Sequence, residues 1–271
     1  MLIGHLVATW QQVRANRSHL KKIDSVGELL SSAAVDAVPT IVSYLSGDLP
    51  QGRIGLGFAA VGAVAADPSQ ESCLTIADVD TTLSAIKAAT GPGSKKAKAQ
   101  LLLDLFAGPT APEQDFLRRL LVGELRQGAL EGIMMDAVAA AAGVDGALVR
   151  HAAVVTGNLP MVASQALEGG SDALAKFGLE LFAGVQPMLA QTAESVAVAG
   201  AKTGEAAVEW KVDGARVQVH RQGDEVRVFT RNLRDIARSA HEVVRAAASL
   251  NVDSIILDGE AVANLGLSNL G

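Results

Sequence analysis

Glu209-Trp-Lys-Val-Asp-Gly-Ala-Arg-Val-Gln-Val-His220 is the stretch on which the fold of this chain turns. Polar and apolar residues alternate through it. As a strand it sets Glu209, Lys211 and Asp213 on one face and Trp210 and Val212 on the other. Gly214 then allows a turn or a close approach of a ligand to the backbone. A lysine between two carboxylates is chemically pointed. An amine attacks phosphorus only when unprotonated, and a free lysine near neutral pH seldom is. Burial, or a neighbouring cation such as bound Mg²⁺ or Arg216, would favour the neutral amine, while ionised carboxylates oppose it. These residues alone leave two readings open: a reactive lysine, or a surface hairpin with Lys211 and Asp213 salt-bridged.

Outward from this stretch the period-two pattern continues. Val208–Val212, Arg216–His220 and Glu225–Thr230 read as strands. Arg221-Gln-Gly-Asp224 separates the last two and supplies Gly223 for positive φ, so they form a hairpin. A helix is expected over Leu233–Ala248, with Ile236, Ala240, Val243, Val244 and Ala247 on one face. Asp253–Val262 reads as a buried strand. Upstream, from Leu2 to about Phe177, the pattern is helical. Leu2, Val7, Trp10 and Val13 recur at helical spacing, as do Val26, Leu29 and Leu30, and then Val38, Ile41, Val42 and Leu45. Ser25 followed by Glu28 reads as a capping box. Further helices are expected at Ile76–Ala89, Ser94–Phe106, Ala111–Leu121, Leu130–Ala142 and Asp145–Val154, with stops at Gly47, Gly91-Pro92-Gly93, Gly108-Pro109 and Gly143. The chain divides into an all-helical domain over 1–175, a linker over 176–184 and an α+β domain over 185–271 with a mostly antiparallel sheet.

Composition narrows the class. Hydrophobic residues make up 49% and aromatics 3%, which favours closely packed Ala- and Leu-rich helices. Cys73 is the one cysteine, with no CxxC or His-rich neighbourhood, so neither a disulfide nor a zinc site is expected and a reduced cytoplasmic setting follows. The N-terminal residues lack a secretory pattern, and the most apolar run, Met134–Val144, falls well short of the roughly 20 residues that cross a bilayer. The net charge of −6 argues mildly against nucleic acid, but binding depends on local patches. Three basic clusters exist: Arg14, Arg17, Lys21 and Lys22; Lys95, Lys96 and Lys98; and Arg118 with Arg119. Composition alone reads them as solvated helix faces. The glycines of Gly52-x-x-Gly55-x-Gly57 follow no strand and read as a helix-connecting loop. His5, His19, His151, His220 and His241 have no ligand spacing and read as surface or satisfied histidines.

The order of the elements settles more than any of them singly. Glu209–His220 strongly resembles motif I, the K-x-D-G signature, of ATP-dependent DNA ligases. Thr230-Arg-Asn232 is similar to the next element of that family, Leu257-Asp-Gly-Glu-Ala-Val262 to its motif III, and Pro187-Met-Leu-Ala190 to the run that opens its nucleotidyltransferase domain. Leu49–Gly57 and Leu121–Gly128 resemble, more weakly, the helical DNA-binding domain of the larger ligases. The resemblance implies a multidomain α and α+β protein, with an all-α N-terminal DNA-binding domain followed by the first part of an antiparallel-sheet nucleotidyltransferase (adenylation) domain. It implies that Lys211 forms a phosphoramidate with AMP and that Glu209 reads the adenine amino group. Arg216 and Arg231 would contact ribose or phosphate oxygens, and Glu260 would bind the ribose hydroxyl near the metal site. As ordinary hairpin charges, Arg216 and Arg231 would instead leave Glu260 to pair with one of them. ATP and Mg²⁺ are the implied cofactors, and nicked duplex DNA is the implied partner of a monomer that touches no membrane. An RNA ligase or a capping guanylyltransferase shares K-x-D-G, but the helical first half argues against both. A complete ligase continues past motif III with a second essential lysine and an OB-fold domain. The chain is therefore expected to be a fragment with weak or absent self-adenylation, or a DNA-binding module when isolated.

Overall fold

The computed structural model describes residues 1–125, 130–185, 187, 192–208 and 213–262. It separates into two units, one of residues 1–153 and 158–177 and the other of 154–157 and 178–271. The first is helical: α1 (Ile3–Ala15), α2 (His19–Ser32), α3 (Val38–Ser46), α4 (Phe58–Gly62), α5 (Ile76–Ala88), α6 (Ser94–Ala107), α7 (Ala111–Val122), α8 (Leu130–Ala142), α9 (Gly146–Thr156) and α10 (Leu159–Leu174). Their apolar stripes share one core, in which Trp10 meets Phe116 edge-on at 5.4 Å. No described helix is long and apolar enough to cross a membrane.

Helix starts follow local capping chemistry, with one correction. Ser25 is not an N-cap. It lies inside α2, where its Oγ donates to the Lys21 carbonyl at 2.9 Å. Ser18 caps this helix instead, because the chain turns helical at His19, ahead of the apolar stripe. Capping boxes do form at Thr75/Asp78 and Thr110/Glu113. Hydrogen bonds from the Thr75 hydroxyl and backbone hold the Asp78 carboxyl below its usual range.

Glu113 is fully buried. Its Oε2 accepts from Thr110 N–H at 2.7 Å and its Oε1 from the Ser72 hydroxyl at 2.5 Å. Gly4 of α1 lies against this pair: a Cβ there would sit 2.8 Å from Glu113 Oε1 and 2.9 Å from Ser72 Oγ. In an open helix Gly→Ala stabilises by about 1 kcal/mol. Here the steric and hydrogen-bond loss wins, and Gly4→Ala should destabilise the helical unit by about 2–3 kcal/mol. A urea unfolding midpoint that falls in Gly4→Ala would show it, and one that rises would refute it.

The second unit holds α11 (Val196–Thr203), β1 (Ala215–Gln222), β2 (Glu225–Thr230), α12 (His241–Ala248) and β3 (Ser254–Ala261), with strand order β2-β1-β3 and both pairings antiparallel. The hairpin turn has Gly223 at φ 56°. Val217, Val219 and Val228 point to one side of the sheet and bury against Ala247 of α12.

Three expectations are revised here. The helix expected from Leu233 begins only at His241. The amides that would start it are already committed. Leu233 N–H donates to the Thr230 carbonyl, Arg234 N–H to the Thr230 hydroxyl and Ile236 N–H to the Val228 carbonyl. The strand expected to be buried, β3, is largely exposed, with Leu257 39% accessible. Among the described residues it is an edge strand, paired with β1 alone. His220 is neither exposed nor fully satisfied, as set out below. The strand expected at Val208–Val212 falls, from residue 209 on, outside the described residues, as do parts of Pro187–Ala190 and Leu121–Gly128.

Candidate active site at one end of the sheet

The register of the sheet explains how segments far apart in sequence meet. Val217 near the start of β1 pairs with Thr230 at the end of β2, and Ala215 pairs with Ala261 at the end of β3. The residues just before β1, the turn just after β2 and the end of β3 therefore lie at one end of the sheet. These are Asp213-Gly214, Thr230-Arg-Asn232 and the Asp258-Gly-Glu260 stretch.

Gly214 N–H donates to Glu260 Oε1 at 2.7 Å. A Cβ on Gly214 would lie 2.5 Å from the Ala261 carbonyl oxygen and 3.0 Å from Glu260 Cγ. Glycine is required here by close approach of β3 rather than by a turn. Arg216 makes a two-pronged ion pair with Asp258, Nε to Oδ1 at 3.1 Å and Nη2 to Oδ2 at 2.6 Å. This hydrogen bonding, with the charges of Asp258 and Glu260, pushes the guanidinium further above its ordinary range. Both side chains are more than a third exposed, so the pair adds little stability. Its effect is to aim the Arg216 fork. The Arg216–carboxylate pairing weighed from sequence thus forms with Asp258, and Glu260 is taken by the Gly214 amide. Asp258 carried a sequence signal: it stands two residues before Glu260 and so shares its face of β3.

Arg231 is exposed in the turn that follows β2. Thr230 holds that turn by accepting from Leu233 and Arg234. Lys211 and Glu209 lie outside the described residues. Asp213, described, is exposed.

The same face of β1 carries Gln218, which drew no reading from sequence, and His220, which read as a surface or satisfied histidine. Gln218 exchanges two hydrogen bonds with the Val185 backbone, accepting from its N–H at 2.9 Å and donating to its carbonyl at 2.5 Å. His220 is fully buried, and its Nδ1 accepts from Phe182 N–H at 2.9 Å. Its Nε2 has no partner among the described residues. Burial pushes the imidazole below its ordinary value of 6.5. Between the lowered value and about 6.5 the unfolded chain binds more protons than the folded one, so stability rises with pH through that window and is complete above it. The unfolding midpoint should therefore fall on acidification from about pH 7 to about pH 5.5. His220→Asn, which keeps an acceptor but does not titrate, should flatten that fall, and an unchanged slope would refute the assignment.

Among the described residues, no group of three or more His, Cys, Asp or Glu side chains could hold a metal ion. Of the carboxylates at this end of the sheet, Asp258 is paired with Arg216 and Glu260 accepts from the Gly214 amide through one oxygen. One carboxylate completed by water and phosphate oxygens is a common way to hold Mg²⁺, so the donor set fits such a metal.

In the helical unit the basic clusters differ in availability. Arg118 donates to the Val61 and Val64 carbonyls and lies over Phe106, and Arg119 pairs with Asp115. Lys98 donates to the Ile54 carbonyl and Arg14 stacks on Trp10. Arg17, Lys21, Lys95 and Lys96 are exposed.

A family model described as "ATP dependent DNA ligase domain" matches residues 187–267, and one described as "DNA ligase N terminus" matches residues 56–139. A "Probable DNA ligase" of Rhodococcus opacus (strain B4) is 48% identical over 264 residues, covering 97% of this chain and 52% of that protein. A "Probable DNA ligase" of Anaeromyxobacter sp. (strain Fw109-5) is 48% identical over 268 residues, covering 98% of this chain and 52% of that protein. One from Saccharopolyspora erythraea is 45% identical, covering 97% and 52%. The chain spans about half the length of the curated relatives it matches. With both models in order along it, and relatives this similar across nearly all of it, the chain belongs to the ATP-dependent DNA ligase family.

Proposed function

We propose that the protein containing this chain seals nicks in duplex DNA at the expense of ATP. Residues 1–175 would grip the duplex, and residues 185–271 would form the first part of the adenylation domain. The observation that carries the reading is the convergence of Asp213-Gly214, Thr230-Arg-Asn232 and Asp258-Gly-Glu260 at one end of the sheet, tied by the Gly214–Glu260 hydrogen bond.

In this reading the Lys211 amine, having lost its proton, attacks the α-phosphorus of ATP. A P–N bond forms and the bond to the pyrophosphate oxygen breaks. AMP then passes from Lys211 to the 5′-phosphate of the nick, and the 3′-hydroxyl displaces it. Glu209 accepts from the adenine amino group, and Glu260 accepts from the ribose hydroxyl. Arg216, aimed by Asp258, and Arg231 meet ribose or phosphate oxygens. Mg²⁺, with Glu260 nearby, would neutralise phosphate charge. Exposed Arg17, Lys21, Lys95 and Lys96 supply cations for backbone phosphates. The protein would act as a cytoplasmic monomer.

The test uses the protein at its natural length with Mg²⁺, a nicked duplex and labelled ATP or GTP. Covalent label from ATP followed by joining of the nick is expected, and label from GTP alone would overturn the reading. Affinity for nicked duplex should fall steeply with salt, and a flat dependence would contradict phosphate gripping.

A further inference from the structure

Two non-glycine residues in the described chain have positive φ, Phe182 at 68° and Leu233 at 56°. For bulky side chains this conformation costs about 1–2 kcal/mol each, and it persists only where the surroundings impose it. Both belong to one cluster. Gly184, two residues after Phe182, packs against the second of them: a Cβ there would sit 3.1 Å from Leu233 Cδ2 and 3.5 Å from Phe229 Cγ. Phe182 is held by its N–H on His220 Nδ1 and by the Arg227 guanidinium over its ring at 5.1 Å. Val185 is held from both sides of its peptide by Gln218. Gln218 in turn pairs across the sheet with Asp258, the residue that aims Arg216. Leu233 ends the turn that carries Arg231.

A run of four residues, 182–185, is thus fastened to the face of β1 that bears Arg216 and, across the register, Glu260. It is fastened by a buried amide and a buried imidazole, and both it and the turn it touches are strained. A loop that only linked two units would need neither. We propose that Gln218 and His220 are positioning residues of the nucleotide site. They fix Phe182–Val185 on the sheet and, through Gly184 against Leu233, fix the turn that presents Arg231 to the nucleotide. The inference rests on the ligase reading above, because it takes the Arg216–Arg231–Glu260 end of the sheet as the place where ATP binds.

His220 acts through an unprotonated Nδ1, so an acceptor at that position is what matters. Asparagine places an amide oxygen close to it, whereas leucine fills the space without an acceptor. The groups facing the imidazole are the Phe182 amide, the Phe229 ring and, on the same face, Arg227, which pairs with Glu225. None of these would replace the lost acceptor.

The experiment measures formation of the covalent AMP adduct against ATP concentration, in the natural-length protein, per titrated active site. The variants are His220→Leu, His220→Asn and Gln218→Leu. His220→Leu, which loses one buried hydrogen bond, should raise the ATP concentration for half-maximal labelling about tenfold, and Gln218→Leu, which loses two, by at least as much. His220→Asn should restore most of it. A structural role alone would lower the fraction of active protein and leave the half-maximal ATP concentration of the active molecules unchanged, which would overturn the proposal. So would His220→Asn behaving like His220→Leu. If the unsubstituted protein takes no label from ATP, the ligase reading itself fails, and this inference with it.

Discussion

Lys211→Ala is expected to abolish covalent labelling by ATP and to lower nick joining by at least about 10⁴-fold, the scale seen when a nucleophile is deleted. The argument is chemical. The residue supplies the atom that bonds to phosphorus, so no neighbouring group can replace part of it. Lys211→Arg should fail nearly as completely despite keeping the charge, because a guanidinium stays protonated and cannot offer a lone pair. The unfolding midpoint should barely move in either variant, which separates lost chemistry from lost fold. A nick supplied already adenylated should still be joined, because the transfer that needs Lys211 has been bypassed. Residual labelling of Lys211→Ala at even a few per cent of the parent would mean another residue is the nucleophile. Single-turnover labelling on the natural-length protein reads all of these.

Gly214→Ala should have the next largest effect. The added methyl would lie 2.5 Å from the Ala261 carbonyl oxygen, a separation no carbon tolerates. Either the end of β3 withdraws or the strand before it tilts. In both cases the Gly214 amide leaves Glu260 and the Ala215–Ala261 pairing opens. The reacting groups are then displaced by a sizeable fraction of an ångström, and misplacement on that scale costs on the order of 10²-fold in rate. Adduct formation should fall by about that factor, with stability lower by about 1–3 kcal/mol. Gly259→Ala is the control on the same sheet, because nothing lies within 4 Å of the Cβ it would add. Gly259→Ala should label within about twofold of the parent. Equal losses in the two variants would mean that strand propensity, and not the Gly214–Glu260 approach, sets the effect.

Much of the fold is legible in sequence because the signals are local. Helices α5 and α7 start at the capping boxes of Thr75 and Thr110, α6 and α7 stop at Gly108 and Gly123, and the β1–β2 hairpin announces its turn with Gly223. The misreadings have a common source, which is competition from groups distant in sequence or from alternative partners close by. Ser25 has the side chain of a cap but sits nearly two turns inside a helix that begins at His19. Leu233–Ala240 has helical spacing, yet Thr230 and Val228 claim its amides for the sheet. β3 has the apolar residues of a buried strand and lies at an edge.

The site divides in the same way. Arg216, Arg231 and Glu260 are legible from motif order, and the register of the sheet brings their segments to one end. Gln218 and His220 alternate with valines, a pattern that does not tell a polar face that is covered from one that meets solvent. They are buried because residues 33 and 38 positions earlier fold over them. No pattern within β1 could disclose that cover. Asp258 as the partner of Arg216 becomes visible only when the strands are registered, since Arg216 pairs directly with Glu260 and reaches diagonally to Asp258. The Arg118–Arg119 cluster looks cationic in sequence, but one side chain caps carbonyls and the other is paired, so charge counting overstated it.

The central claim, that Lys211 takes AMP from ATP, is tested most directly by the mass of the natural-length protein after incubation with ATP and Mg²⁺, followed by peptide mapping. The account predicts one AMP moiety per chain, on Lys211, discharged on addition of nicked duplex and not formed from GTP. AMP on a different residue, or an unmodified protein under these conditions, would contradict it.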